Sequence, residues 1–338
     1  MATVSFINLD QAFNISVNDT IAFASSDFES SSNYSYVTTG GDDWEVYGSG
    51  FTFAGGLPTG GTVTNIDIDL DNDSGAIVQE IIVTGLSIPA TSLGVGVGTA
   101  DEQRDKFWSA VLGGADTINF TMADYTVDLR FGGDGAHVSD GGLHIGAADS
   151  FVDGGTALSG LAVLVGDYYQ LDSGVAVGGG DQFTVGAYAL YGDFRDVLSG
   201  STGIGGNDHI APVRVVTNSG GGLFYIGDAR VVSGALFAGA DLIDLRSTDV
   251  TGFAQSTTLV GDASSVGSSG ALIAGNDTIH GSSAVDVIYG DYSSNSGYIE
   301  GGKDRLFGYA GNDSIIGNEG RDQLYGGDDD DTLNGGID

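Results

Sequence analysis

The residues of this chain best placed to do chemistry are aspartates set at intervals beside glycines. Asp116, Asp149, Asp181, Asp208, Asp241, Asp277 and Asp304 recur 27 to 36 residues apart, each two positions after a glycine except Asp149, which follows Ala147. A second set, Asp134, Asp167, Asp193, Asp228, Asp262 and Asp291, directly follows a glycine in every case. Near the end the spacing tightens into nonapeptides: GYAGNDSII from Gly308, GNEGRDQLY from Gly317 and GGDDDDTLN from Gly326. Carboxylates serve as acids and bases, as nucleophiles or as ligands for hard cations, and a periodic array suits the last use. Equivalent residues of successive coils in a β-solenoid stack about 4.8 Å apart. A column of carboxylates at that spacing repels itself, and a dication between coils reverses the sign. Ca²⁺ takes six to eight oxygens in flexible geometry, backbone carbonyls included, and glycine lets the backbone turn those carbonyls toward an ion.

The elements that must hold these side chains can be counted from the same positions. Two residues after each first-set aspartate comes Ile118, Phe151, Phe183, Ile210, Ile243, Ile279 or Leu306, one apolar side chain predicted to point into a narrow core. The step from the second set to the next first-set aspartate is 13 to 15 residues, whereas the step from first to second set varies from 12 to 21. That places insertions on one side of a regular coil, as loops decorating a solenoid. Residues 1–98 read as β-rich. The run from Gly61 alternates Ile66, Ile68 and Leu70 with Asp67, Asp69 and Asp71, and with the apolar run after DNDSG it predicts a hairpin. The series Asp69, Asp71, Asp73, Gly75, Glu80 superficially follows an EF-hand loop, but Ser74 stands where that loop needs glycine, so a solvated turn is expected. Thr99 and Glu102 form a capping box for a helix over 100–112, with Phe107, Trp108, Val111 and Leu112 as its apolar stripe and Gly113 as its stop. This helix is expected to plug the first coil, because an open solenoid end exposes strand edges and core. Trp44, Tyr47 and Trp108 read as core, and His137, His144, His209 and His280 as structural or exposed. The fold class is all-β: a parallel β-roll or β-solenoid with a small β-rich N-terminal cap domain containing one short helix. The expected divisions are 1–112 for the cap, 113–271 for a degenerate loop-decorated solenoid and 272–338 for a regular roll.

The tail resembles the nonapeptide G-G-x-G-x-D-x-U-x of RTX (haemolysin-type) calcium-binding proteins, a bacterial secreted family that forms parallel β-rolls. The resemblance implies that the glycine-rich half of each nonapeptide makes the turn and binds Ca²⁺, while x-U-x makes the strand. Carried onto this chain, it puts Asp304, Asp313, Asp322 and Asp331 at the ligand position, with Asp277 and Asp286 matching through LIAGNDTIH and GSSAVDVIY. Gly275, Gly302, Gly308, Gly311, Gly317, Gly320 and Gly326 then supply turns and carbonyls. With two nonapeptides per coil, Asp304 should share an ion with Asp322, and Asp313 with Asp331. Upstream the motif is degraded: Tyr188, Leu223 and Thr257 take the place of Asp286 in earlier coils. The Gly-Asp set has two readings, as further cation ligands or as turn residues capping their own backbone. The segment YGSGFTFAGGLPTGGTVT is similar to modules that precede such repeats in bacterial secreted proteins.

Composition narrows the function. There are 46 Asp+Glu against 10 Lys+Arg, a formal net charge of −36, no cysteine and 59 glycines among 338 residues. Nucleic acid and anionic membranes are poor partners for such a chain, divalent cations good ones. Disulfides and thiolate chemistry are excluded. No H-E-x-x-H and no G-x-S-x-G occurs, so no enzyme is expected. No apolar run approaches membrane-spanning length, so no membrane insertion is expected, and the N-terminus lacks a classical signal peptide. The resemblance implies a bacterial extracellular or cell-surface protein exported by type I secretion without a cleaved signal. Expected roles are a calcium-stabilised building block of a filament, matrix or surface layer, or an adhesive module on a rigid rod, with a non-catalytic fragment of a secreted enzyme as a third reading. The stop at Asp338, inside an unfinished nonapeptide, leads to the expectation of a homopolymer contact or a further C-terminal domain at that edge.

Overall fold

The computed structural model describes residues 3–7, 23–38, 43–69, 80–94, 96, 103, 106–107, 110–112, 114, 116–120, 130–133, 135–138, 141–153, 162–215, 222–251, 253 and 255–337. Nearly all of them lie in strands, turns or bends, with an antiparallel stretch at the start leading into a parallel β-solenoid. One long sheet runs the length of the molecule. It begins antiparallel with Phe23–Glu29, Asn33–Thr38, Asp43–Ala54, Leu57–Asp69 and Glu80–Thr84. It reaches Thr3–Ile7, and then continues in parallel through Thr117–Phe120, Ser150–Asp153, Gln182–Phe183, His209–Ile210, Leu242–Asp244, Thr278–His280, Arg305–Ala310 and Gln323–Asp328.

The hairpin expected from alternation is present. Ile66 faces Val83 and Ile68 faces Ile81 across the antiparallel pair, and Ile66, Ile68 and Val83 are fully or almost fully buried. The turn between them, with Asp71, Asp73, Ser74 and Gly75, lies outside the described residues, as does the capping pair Thr99 and Glu102. At the described positions of 103–112 the backbone is helical, and Phe107, Val111 and Leu112 are buried in one cluster with Trp44 and Ile118. The Trp44 and Phe107 rings meet edge-on at 4.7 Å. The helix covers core, but the sheet edge is taken by a strand: Thr3–Ile7 pairs in parallel with Thr117–Phe120. Tyr47 is half-buried with its hydroxyl on Glu45 instead of in the core, because alternation turns its side of the strand outward.

The second sheet faces the long one and holds Arg130–Gly132, Val163–Val165, Ala189–Tyr191, Leu223–Ile226, Thr257–Val260, Asp286–Tyr289, Ser314–Ile316 and Thr332–Asn334. Between the two sheets the inward residues stack rung on rung. Ile118, Phe151, Phe183, Ile210, Ile243, Ile279 and Leu306 are all 0% exposed, and Phe151 and Phe183 lie ring on ring at 4.5 Å. Burial of each such side chain contributes roughly 1.5–3 kcal/mol.

The segment of nearly constant length, from the second-set aspartate to the next first-set one, carries two strands. These form two further sheets. The third contains Gly135–Val138, Tyr168–Leu171, Phe194–Val197, Ala229–Val232, Ala263–Val266 and Tyr292–Asn295. The fourth contains Leu143–Ile145, Gly174–Val177, Ser201–Ile204, Ala235–Phe237, Ala271–Ile273 and Tyr298–Glu300. They enclose a separate core in which Leu171, Val197, Val232, Leu236 and Leu272 are fully buried. An upstream coil therefore has four strands around two cores. The variable segments do join the long sheet to the second, and their Val215, Leu245, Val250 and Phe253 pack onto the first core. After Glu300 the third and fourth sheets end, and each coil shortens to two strands. The long sheet passes without a break through both 112/113 and 271/272.

Candidate metal centre

The first-set aspartates form one unbroken ladder. In each from Asp149 onward, Oδ1 accepts the backbone N–H of the equivalent aspartate one coil upstream. Asp149 accepts from Asp116 at 2.6 Å, Asp181 from Asp149 at 2.6 Å, Asp208 from Asp181 at 2.7 Å and Asp241 from Asp208 at 2.7 Å. Asp277, Asp304 and Asp322 continue at 2.8, 2.8 and 3.0 Å. All except Asp322 are at most 4% exposed.

The second oxygen carries the functional argument. Oδ2 of Asp208, Asp241, Asp277 and Asp304 is buried and meets no hydrogen-bond donor. It faces the glycine that precedes each second-set aspartate, together with that glycine's counterpart one coil on. A Cβ added to Gly192 would lie 1.9 Å from Asp208 Oδ2 and 1.7 Å from the Gly227 carbonyl oxygen. At Gly227 the corresponding distances are 2.0 Å to Asp241 Oδ2 and 1.9 Å to the Gly261 carbonyl. At Gly261 they are 2.1 Å to Asp277 Oδ2 and 1.9 Å to the Gly290 carbonyl, and at Gly290 2.4 Å each to Asp304 Oδ2 and the Gly317 carbonyl. Only glycine fits between these oxygens, so the pairing of Gly with Asp is a steric requirement of one oxygen-lined edge.

The second set lines the same edge. Asp167, Asp193, Asp228, Asp262 and Asp291 are all 0% exposed. They do not cap their own turns. Each accepts the N–H of the glycine that opens the next first-set unit, Gly179, Gly206, Gly239, Gly275 and Gly302, at distances from 2.7 to 3.0 Å. Asp134 lies outside the described residues. Without a cation, burial pushes the carboxyls of Asp193, Asp228, Asp241, Asp262 and Asp277 well above the usual carboxylate range, with neighbouring aspartates adding to the rise. The neighbours named for Asp262 are Asp277, Asp228 and Asp291, so the two columns interact across the edge. Burial likewise raises Asp208 to about 8 and Asp304 to about 9. Among the described residues, none of the ion pairs engages these acids.

Among the described residues, a second edge exists only near the end. Asp313 Oδ1 accepts the Asp286 N–H at 2.8 Å, and Asp331 Oδ1 accepts the Asp313 N–H at 3.0 Å. The cradle recurs: a Cβ at Gly308 would lie 2.2 Å from Asp313 Oδ2 and 2.6 Å from the Gly326 carbonyl, and one at Gly326 2.2 Å from Asp331 Oδ2. Gly317 likewise faces Asp322 Oδ2 at 2.5 Å. Asp304 thus adjoins Asp322, and Asp313 adjoins Asp331, in neighbouring coils. The parallel register aligns Leu223 with Thr257 and Thr257 with Asp286, so the upstream coils keep apolar or hydroxyl side chains where the tail has its second column. Gly311 and Gly320 take φ of 116° and 123°, while Tyr309, Asn318 and Asp329 hold the left-handed region at 80°, 69° and 79°. Non-glycine residues there cost roughly 1–2 kcal/mol each, so the tail turns are strained where the nonapeptide's glycines are replaced.

Among the described residues no three His, Asp or Glu side chains converge on one point. What converges at each rung is carboxylate oxygen with backbone carbonyl, a hard all-oxygen set. That fits Ca²⁺, which accepts carbonyls readily, better than a metal needing nitrogen or sulfur. Sequence reasoning did not single out Gly192, Gly227, Gly261 and Gly290 as site residues, although their strict place before aspartate was the available signal. It also missed the seal at the end of the third sheet. There Asn318 Oδ1 accepts the N–H groups of Asp291 and Tyr292 at 3.3 and 3.2 Å, and Asp291 Oδ2 accepts that of Glu319 at 3.0 Å.

The family model of the RTX calcium-binding nonapeptide repeat (four copies) matches residues 274–294 and 298–338. No curated protein and no solved structure matched the chain. The matched stretch is the part in which both edges carry the aspartate–glycine cradle and the coil narrows to two strands. Residues 274–294 and 298–338 are therefore similar to the RTX calcium-binding nonapeptide repeat.

Proposed function

We propose that this protein is an extracellular structural scaffold whose solenoid is held together by Ca²⁺ along its aspartate edges, and that it builds a filament, matrix or surface layer. The observation that carries the reading is the buried Oδ2 row of Asp208, Asp241, Asp277 and Asp304, facing glycine carbonyls with no donor in reach. Buried carboxylates without a counter-charge are strongly unfavourable, and a cation at each rung removes that cost. Asp116, Asp149 and Asp181 would extend the first edge, with Asp286, Asp313 and Asp331 forming the second.

The acids stand in columns, committed to backbone N–H groups, which favours a scaffold over a catalyst. Assembly is supported by the outer face of the fourth sheet, where Leu143, Ile145, Ile204 and Phe237 are 66%, 70%, 38% and 49% exposed. Parallel sheets are normally covered on both faces, and lateral contact between copies would cover this one. No helix among the described residues is long and apolar enough to cross a membrane. Electron microscopy with calcium and then with a chelator tests the reading. Calcium-dependent filaments or sheets are expected, and a calcium-folded protein that stays monomeric at all concentrations overturns the assembly role.

A further inference from the structure

A cleft of about 460 Å³ opens where the outer faces of the second and third sheets turn toward each other, remote in composition from the aspartate edges. Tyr169, Tyr188, Tyr191 and Phe224 line it together with Arg195 and Arg230, over Val163 and Ile226. The chain has only 10 Lys+Arg, and two of them share this one hollow. Their guanidiniums are fixed. Asp196 accepts Arg195 Nη1 at 2.5 Å, and Arg230 Nε and Nη2 at 3.0 and 2.7 Å. Arg195 also lies over the Tyr169 ring at 4.8 Å. Two positive groups against one carboxylate leave the cleft locally positive in a chain of formal net charge −36. The repulsion of distant acids is screened beyond roughly 8–10 Å at physiological salt.

We infer that this cleft binds a glycan unit bearing a carboxylate, a uronic-acid-type sugar. Tyr188 and Phe224, themselves edge-on at 5.8 Å, offer aromatic faces to the apolar C–H face of a pyranose. Tyr169, Tyr188, Tyr191, Ser264 and Ser265 are lining residues that carry hydroxyl groups suited to a polyhydroxylated ligand, and the paired guanidiniums match its carboxylate. A peptide added as a strand finds no edge here. Ala189–Tyr191 is paired on both sides, with Val163–Val165 and Leu223–Ile226, and Phe194–Val197 likewise with Tyr168–Leu171 and Ala229–Val232. The cleft has the size of an ordinary small-ligand site.

Calorimetric titration of the calcium-loaded full chain with a glucuronate-containing tetrasaccharide, its carboxyl-reduced form and hexaglutamate tests the assignment. Saturable binding of the uronate in the micromolar-to-millimolar range is expected, with the reduced sugar at least about tenfold weaker. Arg230→Gln and Phe224→Ala should each weaken uronate binding by about tenfold or more, with the far-UV spectrum unchanged. Four results overturn the inference: no saturable uronate binding, equal binding of the reduced sugar, unchanged affinity in both variants, or preferential binding of hexaglutamate, which would make the cleft a peptide site.

Discussion

The upstream coils and the tail are built on the same ladder but divide the work of stability differently. Between residues 162 and 300 each complete coil closes two apolar cores, one between the long and second sheets and one between the third and fourth. Only one edge of that stretch carries the continuous aspartate column. In the tail the second core is gone, and inward residues such as Leu306 and Ile315, both 0% exposed, belong to the first core alone. There the aspartate–glycine cradle appears on both edges. Carboxylate edges thus multiply where hydrophobic area runs short. The coil of Asp286 has both the second core and the second carboxylate edge; away from it one replaces the other.

The largest effect that could break this comparison is removal of calcium. Amide exchange in chelator should show strands 305–310, 314–316 and 323–328 losing about a hundredfold of protection or more, against about tenfold or less for 229–232 and 235–237. Equal loss in both regions would mean that the second core adds no independent stability. Next comes Asp277→Ala. It strips the Asp241 N–H of its acceptor inside the protein, costing roughly 1–3 kcal/mol by itself, and removes a carboxylate from the shared edge. Denaturant midpoints should drop in chelator and drop further in calcium; a smaller drop in calcium contradicts ligation by this residue. Gly227→Ala follows at roughly 1–3 kcal/mol, because its Cβ would fall 2.0 Å from Asp241 Oδ2. Its signature is a weakened calcium response in a chain that still folds, and an unchanged calcium midpoint would show that the cradle is only a packing contact.

The ladder and its inward residues were legible because both follow one fixed offset: aspartate, then an apolar side chain two positions on. Ile118 through Leu306 are buried as that offset requires. The third and fourth sheets were not legible as sheets. Their strands, such as GVAV and ALF, are only three or four residues long, too short for a periodicity to declare itself. The constancy of the 13-to-15-residue step was the surviving signal. The Gly-Asp column stayed ambiguous because a turn aspartate and a buried one share the same local sequence; burial under neighbouring coils decides between them, and that is a property of stacking. Asn318 and Glu319 occupy ordinary nonapeptide positions, so nothing local announced that they seal the end of the third sheet.

Acidity offers a subtler test. In the cation-free protein burial raises Asp286 and Asp291 to about 7 and Asp208 to about 8, above the unfolded value of roughly 3.9. The folded form then binds more protons than the unfolded one. The associated stability is complete below about pH 4 and is lost as pH rises through the range from about 7 to 8. With calcium the sign reverses, because ligation needs the deprotonated carboxylate. Unfolding midpoints in chelator should therefore fall between about pH 5 and pH 9, and those in calcium should rise; parallel trends would show that these acids do not bind the ion. The smallest expected effect is that of Thr257→Asp. Thr257 stands directly in register with Asp286, so the change adds one rung to the second edge. It should destabilise the chelated protein by roughly 1 kcal/mol and be neutral or better in calcium.

The claim that the aspartate columns are calcium sites is tested most directly by titrating calcium into chelated protein while following far-UV circular dichroism and bound metal together. The account predicts that part of the β-signal, that of the tail strands, is lost in chelator and returns as calcium binds, with both curves saturating in parallel. Full β-signal in chelator, together with no calcium retained after dialysis, would contradict it.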